Sequence, residues 1–143
     1  MSESKRCFLP PLAELIDRLT VDQIKEIAFQ GEKPAIREEM KRIEHDLDTI
    51  IREKDIKLDA RLLRVIIALA QLNLHIWNNK ETMESHRINA PDRYMELLKL
   101  SHQLNGIRNQ LKNHLLVISG DKDAASLRSN FNTDGLDGWD ISI

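Results

Sequence analysis

Two pairs of carboxylates, each spaced three residues apart, are the feature of this sequence closest to catalytic chemistry. Glu14 with Asp17, and Glu81 with Glu84, would each place both side chains on one face of a helix. Carboxylate oxygens are preferred ligands of Mg²⁺, and bound Mg²⁺ can polarise a phosphoryl oxygen. The chain would be a magnesium-dependent nucleotide hydrolase if the two pairs converged in space; ordinary helix-surface charge is the alternative.

All-α nucleotide pyrophosphohydrolases use such pairs on facing helices near the middle of a bundle, and the resemblance of this chain to that class ends with the pairs. Glu81 and Glu84 fall near the end of a predicted helix, which favours surface charge.

Histidines at helical spacing give a second candidate for metal binding. His45 with Asp48, and His102 with Asn105, could form a divalent site between two helices. The His45–Asp46 dipeptide also occurs in metal phosphohydrolases, but no histidine precedes it to complete the ligand set. Exposed helical histidines are usually unligated, so we predict no metal and no cofactor.

Other catalytic signatures are absent from the sequence. The single cysteine, Cys7, excludes an intramolecular disulfide and a multi-cysteine zinc site, and it falls in an N-terminal segment that we expect to be mobile. No glycine-rich phosphate loop occurs. The interpretation therefore leans towards a protein without enzymatic activity.

Charge and hydropathy narrow the classes of partner. The 143 residues include 21 basic and 23 acidic side chains, giving a net charge of -2, so we expect no non-specific nucleic-acid binding. No signal peptide follows the first residues, and the longest apolar stretch contains Arg64, Gln71, Asn73 and His75. These features predict a cytoplasmic protein with no membrane partner.

Apolar residues recur at the period of a helix, which predicts an all-α four-helix bundle of two helical hairpins. Thr20 and Gln23 form a capping-box pattern, so we expect the first helix to be broken near Thr20. Pro34 should open the second helix, Asp59 should cap the third, and Gly120 should end the fourth.

The third helix carries apolar residues over an unusually wide arc, which predicts that it is the most buried helix. Asn73 interrupts one seam and needs a hydrogen-bond partner, for which Gln23 is a candidate. The two adjacent seams are Leu63, Ile66, Ala70 and Trp77, and Leu62, Val65, Leu69, Leu72 and Ile76.

The fourth helix has an unusual second face in "LKLSHQLNGIRNQLKNHLL", residues 98–116. Gly106 costs about 1 kcal/mol in mid-helix and therefore suggests close approach of another backbone or a ligand. A seam with polar residues at its centre fixes register between helices. The seam opposite the core stripe comprises Leu98, His102, Asn105, Asn109 and Leu116.

This face supports two hypotheses besides the solvated surface that would need no partner. In the first, the protein is a homo-oligomer that pairs through its fourth helix. In the second, Arg108 and the neighbouring amides bind an anionic nucleotide at a subunit boundary and sequester it.

The chain divides at Gly120 into a bundle domain, 1–120, and a C-terminal tail, 121–143. In "GLDGWDISI", Trp139, Ile141 and Ile143 alternate with polar residues and would face one way in an extended segment. We expect this tail to dock on a bundle or to act as a recognition peptide, with a mobile terminus as the alternative.

The opening "LAELIDRLTVDQIKEI", residues 12–27, resembles small helical proteins of unknown function from phages and bacteria. "LNLHIWNNKE" and "LNGIRNQL" are also similar to later segments of these proteins. The chain departs from their pattern at Ile27, where an aromatic residue is common. The resemblance covers about half of the chain, implies a phage or bacterial source, and implies no activity.

Overall fold

The computed structural model describes residues 5–120 and 141–142, and the described chain is an all-α four-helix bundle, as predicted. No strand occurs among these residues. The helices are α1, Leu12–Ala28; α2, Lys33–Glu53; α3, Ala60–Ser85; and α4, Pro91–Ser119. The predicted division between a bundle domain and a tail stays a prediction, because residues 121–140 lie outside the described ranges.

Neighbouring helices pair as two hairpins, α1 with α2 and α3 with α4. Helix α1 also packs against α3 and α4, whereas α2 closely approaches only α1 among the described helices. The core therefore lies mainly between α1, α3 and α4, and α2 packs on α1 and adds Ile43 and Ile50 to it. Its fully buried side chains include Leu15, Ile43, Leu62, Leu69, Leu104 and Leu115.

Local sequence explains most helix ends. The Asp59 carboxylate accepts a hydrogen bond from the Leu62 amide at 2.9 Å, as a helix N-cap should. Pro34 lies in the first turn of α2, where its missing N–H has no cost. Gly120 ends α4 with a φ of 73°, a left-handed conformation that glycine adopts without strain. These three predictions are confirmed.

The predicted break near Thr20 is wrong, because α1 continues through this residue. The Thr20 hydroxyl donates to the Asp17 carbonyl oxygen at 2.7 Å, which a threonine inside a continuous helix can do. Gln23 does not close a capping box; it is exposed and donates to Glu26 at 2.9 Å. A capping-box pattern thus fails to mark a helix start here.

Candidate functional site: a buried ion network and an apolar groove

Asp17 is the centre of a buried polar network that joins α1, α3 and α4. Its side chain is 3% exposed and accepts two hydrogen bonds from the Arg108 guanidinium, one of them from Nε at 2.9 Å. The Asn73 amide donates to the same carboxylate at 2.9 Å. The Lys112 ammonium lies 3.8 Å from Asp17 and 2.9 Å from Glu14. Asn73 thus finds its partner in Asp17, and the predicted pairing with Gln23 is wrong.

The network keeps Asp17 ionised. Burial alone would raise the pKa of Asp17, but the hydrogen bonds and charge of Arg108 outweigh this effect and lower it, with help from Asn73 and Lys112. Two carboxylates and two cations balance one another inside the bundle. Such an arrangement fixes the helices relative to each other and leaves little net charge for a ligand.

The predicted magnesium ligands do not gather into one site. Glu14 and Asp17 already face two cations, whereas Glu81 and Glu84 are exposed near the end of α3, and Glu84 lies 3.8 Å from Arg87. Within residues 5–120 and 141–142, no cluster of three or more metal-ligating side chains includes any of the four carboxylates. This geometry does not favour a magnesium-dependent hydrolase.

The predicted outer seam of α4 is not a continuous surface. Leu116 is 2% exposed and belongs to the core, so its assignment to an outer face is wrong. The remaining seam positions are His102, which is exposed, and Leu98, Asn105 and Asn109, which are half-buried; Gly106 beside them is buried. Helix α4 packs against both α1 and α3, so two of its faces are covered where periodicity suggested one.

Arg108 points towards Asp17 rather than towards a ligand. Arg108 Nη1 also lies 3.5 Å from the side-chain oxygen of Asn105. The guanidinium charge is already compensated, which weakens the hypothesis that Arg108 holds an anionic nucleotide. The partner-binding role of the other seam residues stays a prediction.

A groove of about 590 Å³ opens between the second half of α1 and the middle of α3. Trp77 forms part of one wall and packs against Phe29, with ring centroids 5.8 Å apart. Its polar lining comprises Thr20, Gln23, Gln71, Asn78 and Glu81. Its apolar lining comprises Leu19, Ile24, Ile27, Ala28, Ala70, Leu74 and Trp77.

An exposed apolar stripe on α3 continues from this groove, and Leu74 belongs to both. Leu63, Ile67 and Leu74 are 52%, 60% and 42% exposed and lie opposite the buried side of the helix. The predicted burial of Leu63 is therefore wrong, although Leu62, Val65, Leu69, Leu72 and Ile76 are buried as expected. By length and composition alone, α3 is long and apolar enough to cross a membrane. Only 33% of the 18-residue window that meets this test is buried in the bundle.

Sequence reasoning missed the stripe because it assigned Leu63 to a buried seam and placed Ile67 and Leu74 in neither seam. The signal was present in the width of the apolar arc, which exceeds what one packed side of a surface helix needs. An arc this wide indicates either complete burial in the chain or a second covering partner.

The last described residues lie against the start of α3. The Ser142 carbonyl and hydroxyl oxygens accept hydrogen bonds from the Arg64 guanidinium at 3.1 and 2.8 Å, and Ile141 is 37% exposed. The predicted docking of Trp139 and Ile143 falls outside the described residues.

Comparisons with protein-family models, with curated proteins and with solved structures found no match to this chain. The resemblance to phage and bacterial proteins therefore stays a prediction.

Proposed function

We propose that this protein is a non-enzymatic, all-α interaction protein that self-associates through the α3 face, meaning the stripe of Leu63, Ile67 and Leu74 together with the α1–α3 groove. The observation that carries the proposal is the outward exposure of this stripe along a helix whose opposite side is already buried. Contiguous apolar surface on a folded domain marks interaction sites.

The chemistry of the face favours a second copy of the chain. No Asp, Glu, Lys or Arg occurs between Arg64 and Lys80, so the part of the face from Ile67 to Leu74 can meet its copy without burying an unpaired charge, and Glu81 is the acidic residue of the groove lining. A twofold axis brings the same patch of both copies together, which requires a self-complementary surface. Leu63, Ile67 and Leu74, spaced by four and then seven residues, are the positions through which paired helices interlock.

Burial energies set the scale of this association. Full burial of a leucine or isoleucine contributes about 1.5–3 kcal/mol, so each half-exposed stripe residue adds about 1 kcal/mol. The six stripe residues of two copies then supply roughly 6 kcal/mol, and Ile27, which is 75% exposed in the groove, adds to this. The cost of association, about 4–15 kcal/mol, offsets most of this gain. The expected dimer is therefore weak and reversible.

Light scattering across a concentration series tests the proposal. The wild type should rise above the 16.6 kDa mass of one chain as concentration increases, and Ile67→Glu should remain at that mass. Ile88→Glu is the matched control, because Ile88 is 87% exposed but lies in the turn after α3. A wild type that is monomeric at every concentration refutes self-association.

A third variant separates the α3 face from the interface on α4 predicted from the sequence. His102→Glu places a charge on the exposed centre of the predicted α4 seam and leaves the α3 face unchanged. Loss of the oligomer in His102→Glu but not in Ile67→Glu would assign the interface to α4 and overturn the present proposal.

A further inference from the structure

The N-terminal segment is tied to α2 by two adjacent side chains, on the opposite side of α1 from the groove. The Asp46 carboxylate is fully buried and accepts hydrogen bonds from the Cys7 and Phe8 amides at 2.6 and 2.7 Å. His45 Nε2 lies 2.8 Å from the Lys5 carbonyl oxygen. Our expectation of a mobile segment around Cys7 is therefore wrong, and the contacts bring the only thiol of the chain to α2.

Three metal-ligating groups of different chemistry converge at this point. The Cys7 sulfur, a ring nitrogen of His45 and a carboxylate oxygen of Asp46 all lie within 4.8 Å of one another, and within the described ranges no other such cluster of three occurs. Thiolate, imidazole and carboxylate are the ligand types that Zn²⁺ takes in proteins. Cys7 and His45 are exposed, so an ion can reach them from solvent.

The surroundings of these groups match the support that metal ligands need. A carbonyl oxygen can only accept a hydrogen bond, so His45 Nε2 donates to Lys5, and Nδ1 is the ring nitrogen left to bind a cation. Metal-binding histidines commonly donate their second N–H to a backbone carbonyl, and ligating carboxylates are themselves hydrogen-bonded. Both conditions are met by Lys5 and by the Cys7 and Phe8 amides.

We propose that Cys7, His45 and Asp46 form a binding site for one Zn²⁺ ion, with a water molecule as the fourth ligand. Tetrahedral zinc bonds of about 2.0–2.3 Å place ligand atoms about 3.4–3.7 Å apart, so the exposed Cys7 and His45 side chains must close in on the ion. Binding exchanges the thiol proton for the metal: the S–H bond breaks, an S–Zn bond forms, and one proton is released to solvent.

Arg6 is the charge that opposes this site. Its Nε lies 3.8 Å from Asp46 Oδ2, so Oδ1 is the oxygen better placed to bind a cation. Removal of the competing cation should strengthen binding, and Arg6→Ala is expected to bind zinc more tightly than the wild type. Unchanged or weaker binding by this variant would contradict the arrangement.

Cobalt substitution tests the site in the full chain under reducing conditions. Co²⁺ bound through a thiolate shows a sulfur-to-metal charge-transfer band, and Cys7 is the only thiol, so the wild type should show the band and Zn²⁺ should abolish it. Cys7→Ser should lose the band. His45→Ala should lower the affinity for Zn²⁺ at least tenfold, as measured by competition with a chromophoric chelator. Even changes to residues that support metal ligands lower metal affinity 10–100-fold.

His102→Ala is the matched control, because His102 is an exposed helical histidine of α4 that lies outside the cluster. It should bind as the wild type does, and circular dichroism should confirm that every variant is folded. The proposal is overturned by a wild type without the band, by unchanged binding in His45→Ala, or by one metal per two chains. The α3-face variant Ile67→Glu should still bind zinc, so failure of one proposal leaves the other standing.

Discussion

Replacing Asp17 with asparagine should destabilise the bundle more than any surface charge substitution. The change keeps the size of the side chain but removes the negative charge that Arg108 and Lys112 face. It also directs an amide N–H₂ group towards two donors. The cations therefore lose part of their compensation without gaining access to water.

The burial of each partner sets the size of this effect. Breaking a fully buried ion pair from one side costs about 3–5 kcal/mol. The Arg108 side chain is 27% exposed and can turn partly to solvent, and Lys112 keeps Glu14 at 2.9 Å, so the lower end of this range applies. We expect a loss of about 3 kcal/mol, which for a chain of this size lowers Tm by roughly 10 °C.

Urea unfolding at pH 7 measures the loss directly. The control is Glu38→Gln, since the Glu38–Arg42 pair is 3.6 Å apart and both side chains are more than half exposed. That variant should change the unfolding free energy by less than about 0.5 kcal/mol. A loss below about 1 kcal/mol in Asp17→Asn, a value typical of surface pairs, would refute the reasoning.

The pH dependence of the same variant gives an independent check. The pKa of Asp17 lies below its ordinary value of 3.8 in the folded chain, so its contribution is present above pH 3.8 and is lost as pH falls through the folded pKa. The difference in stability between the wild type and Asp17→Asn should therefore shrink in acid.

Three further changes have clear expected outcomes. Burial, a hydrogen bond to Glu39 and the Glu39 charge raise the pKa of Asp22 to about 7. The stability that protonated Asp22 contributes should therefore fall as pH rises through 7. The free energy of unfolding, measured in urea from pH 5.5 to 8.5, should vary less with pH in Asp22→Asn than in the wild type. Asp59→Ala removes the α3 cap and should cost about 1 kcal/mol in thermal unfolding. Gly120→Ala forces a side chain into a φ of 73° and should cost about 1 kcal/mol in the same assay, whereas Gly31→Ala, in open space without positive φ, should cost nothing.

The raised pKa of Asp22 has a visible structural cause. Asp22 is 4% exposed, and among the described residues no donor reaches its Oδ2 atom. The hydrogen bond between the Asp22 and Glu39 carboxyl groups requires a proton, and Lys25, whose Nζ lies 4.0 Å from the other oxygen, Oδ1, is too distant to replace it. The α1–α2 contact is therefore most stable when this pair holds one proton.

Periodicity predicted the helices and their core stripes because both depend on local geometry. On α2, Met40, Ile43 and Ile50 are buried at spacings of three and seven residues. On α4, Leu104 and Leu111, seven residues apart, are buried. An apolar stripe that recurs every three to four residues lies on one side of its helix, and that side is buried whichever neighbouring helix covers it.

The polar partners could not be predicted in this way. Asp17 and Arg108 are 91 residues apart, and only the packing of α1 on α4 brings them together. Considered alone, Asp17 was interpreted as a candidate metal ligand and Arg108 as a candidate binding residue for an anion. Each charge was considered without the other. The spacing of charges within one helix carries no information about a neutralising charge on the next.

The buried network and the apolar groove share residues and hydrogen bonds. Thr20 lines the groove, and its hydroxyl oxygen accepts a hydrogen bond from Asn73 at 2.7 Å, while Asn73 also holds Asp17. Asn73 projects from the same helix as Leu74, so the bonds that fix α1 against α3 also set the separation of the two groove walls. An apolar contact has no preferred direction, whereas these hydrogen bonds do. The polar interior therefore determines where the apolar surface lies, which explains why an α3 that is apolar over so wide an arc still presents one defined face.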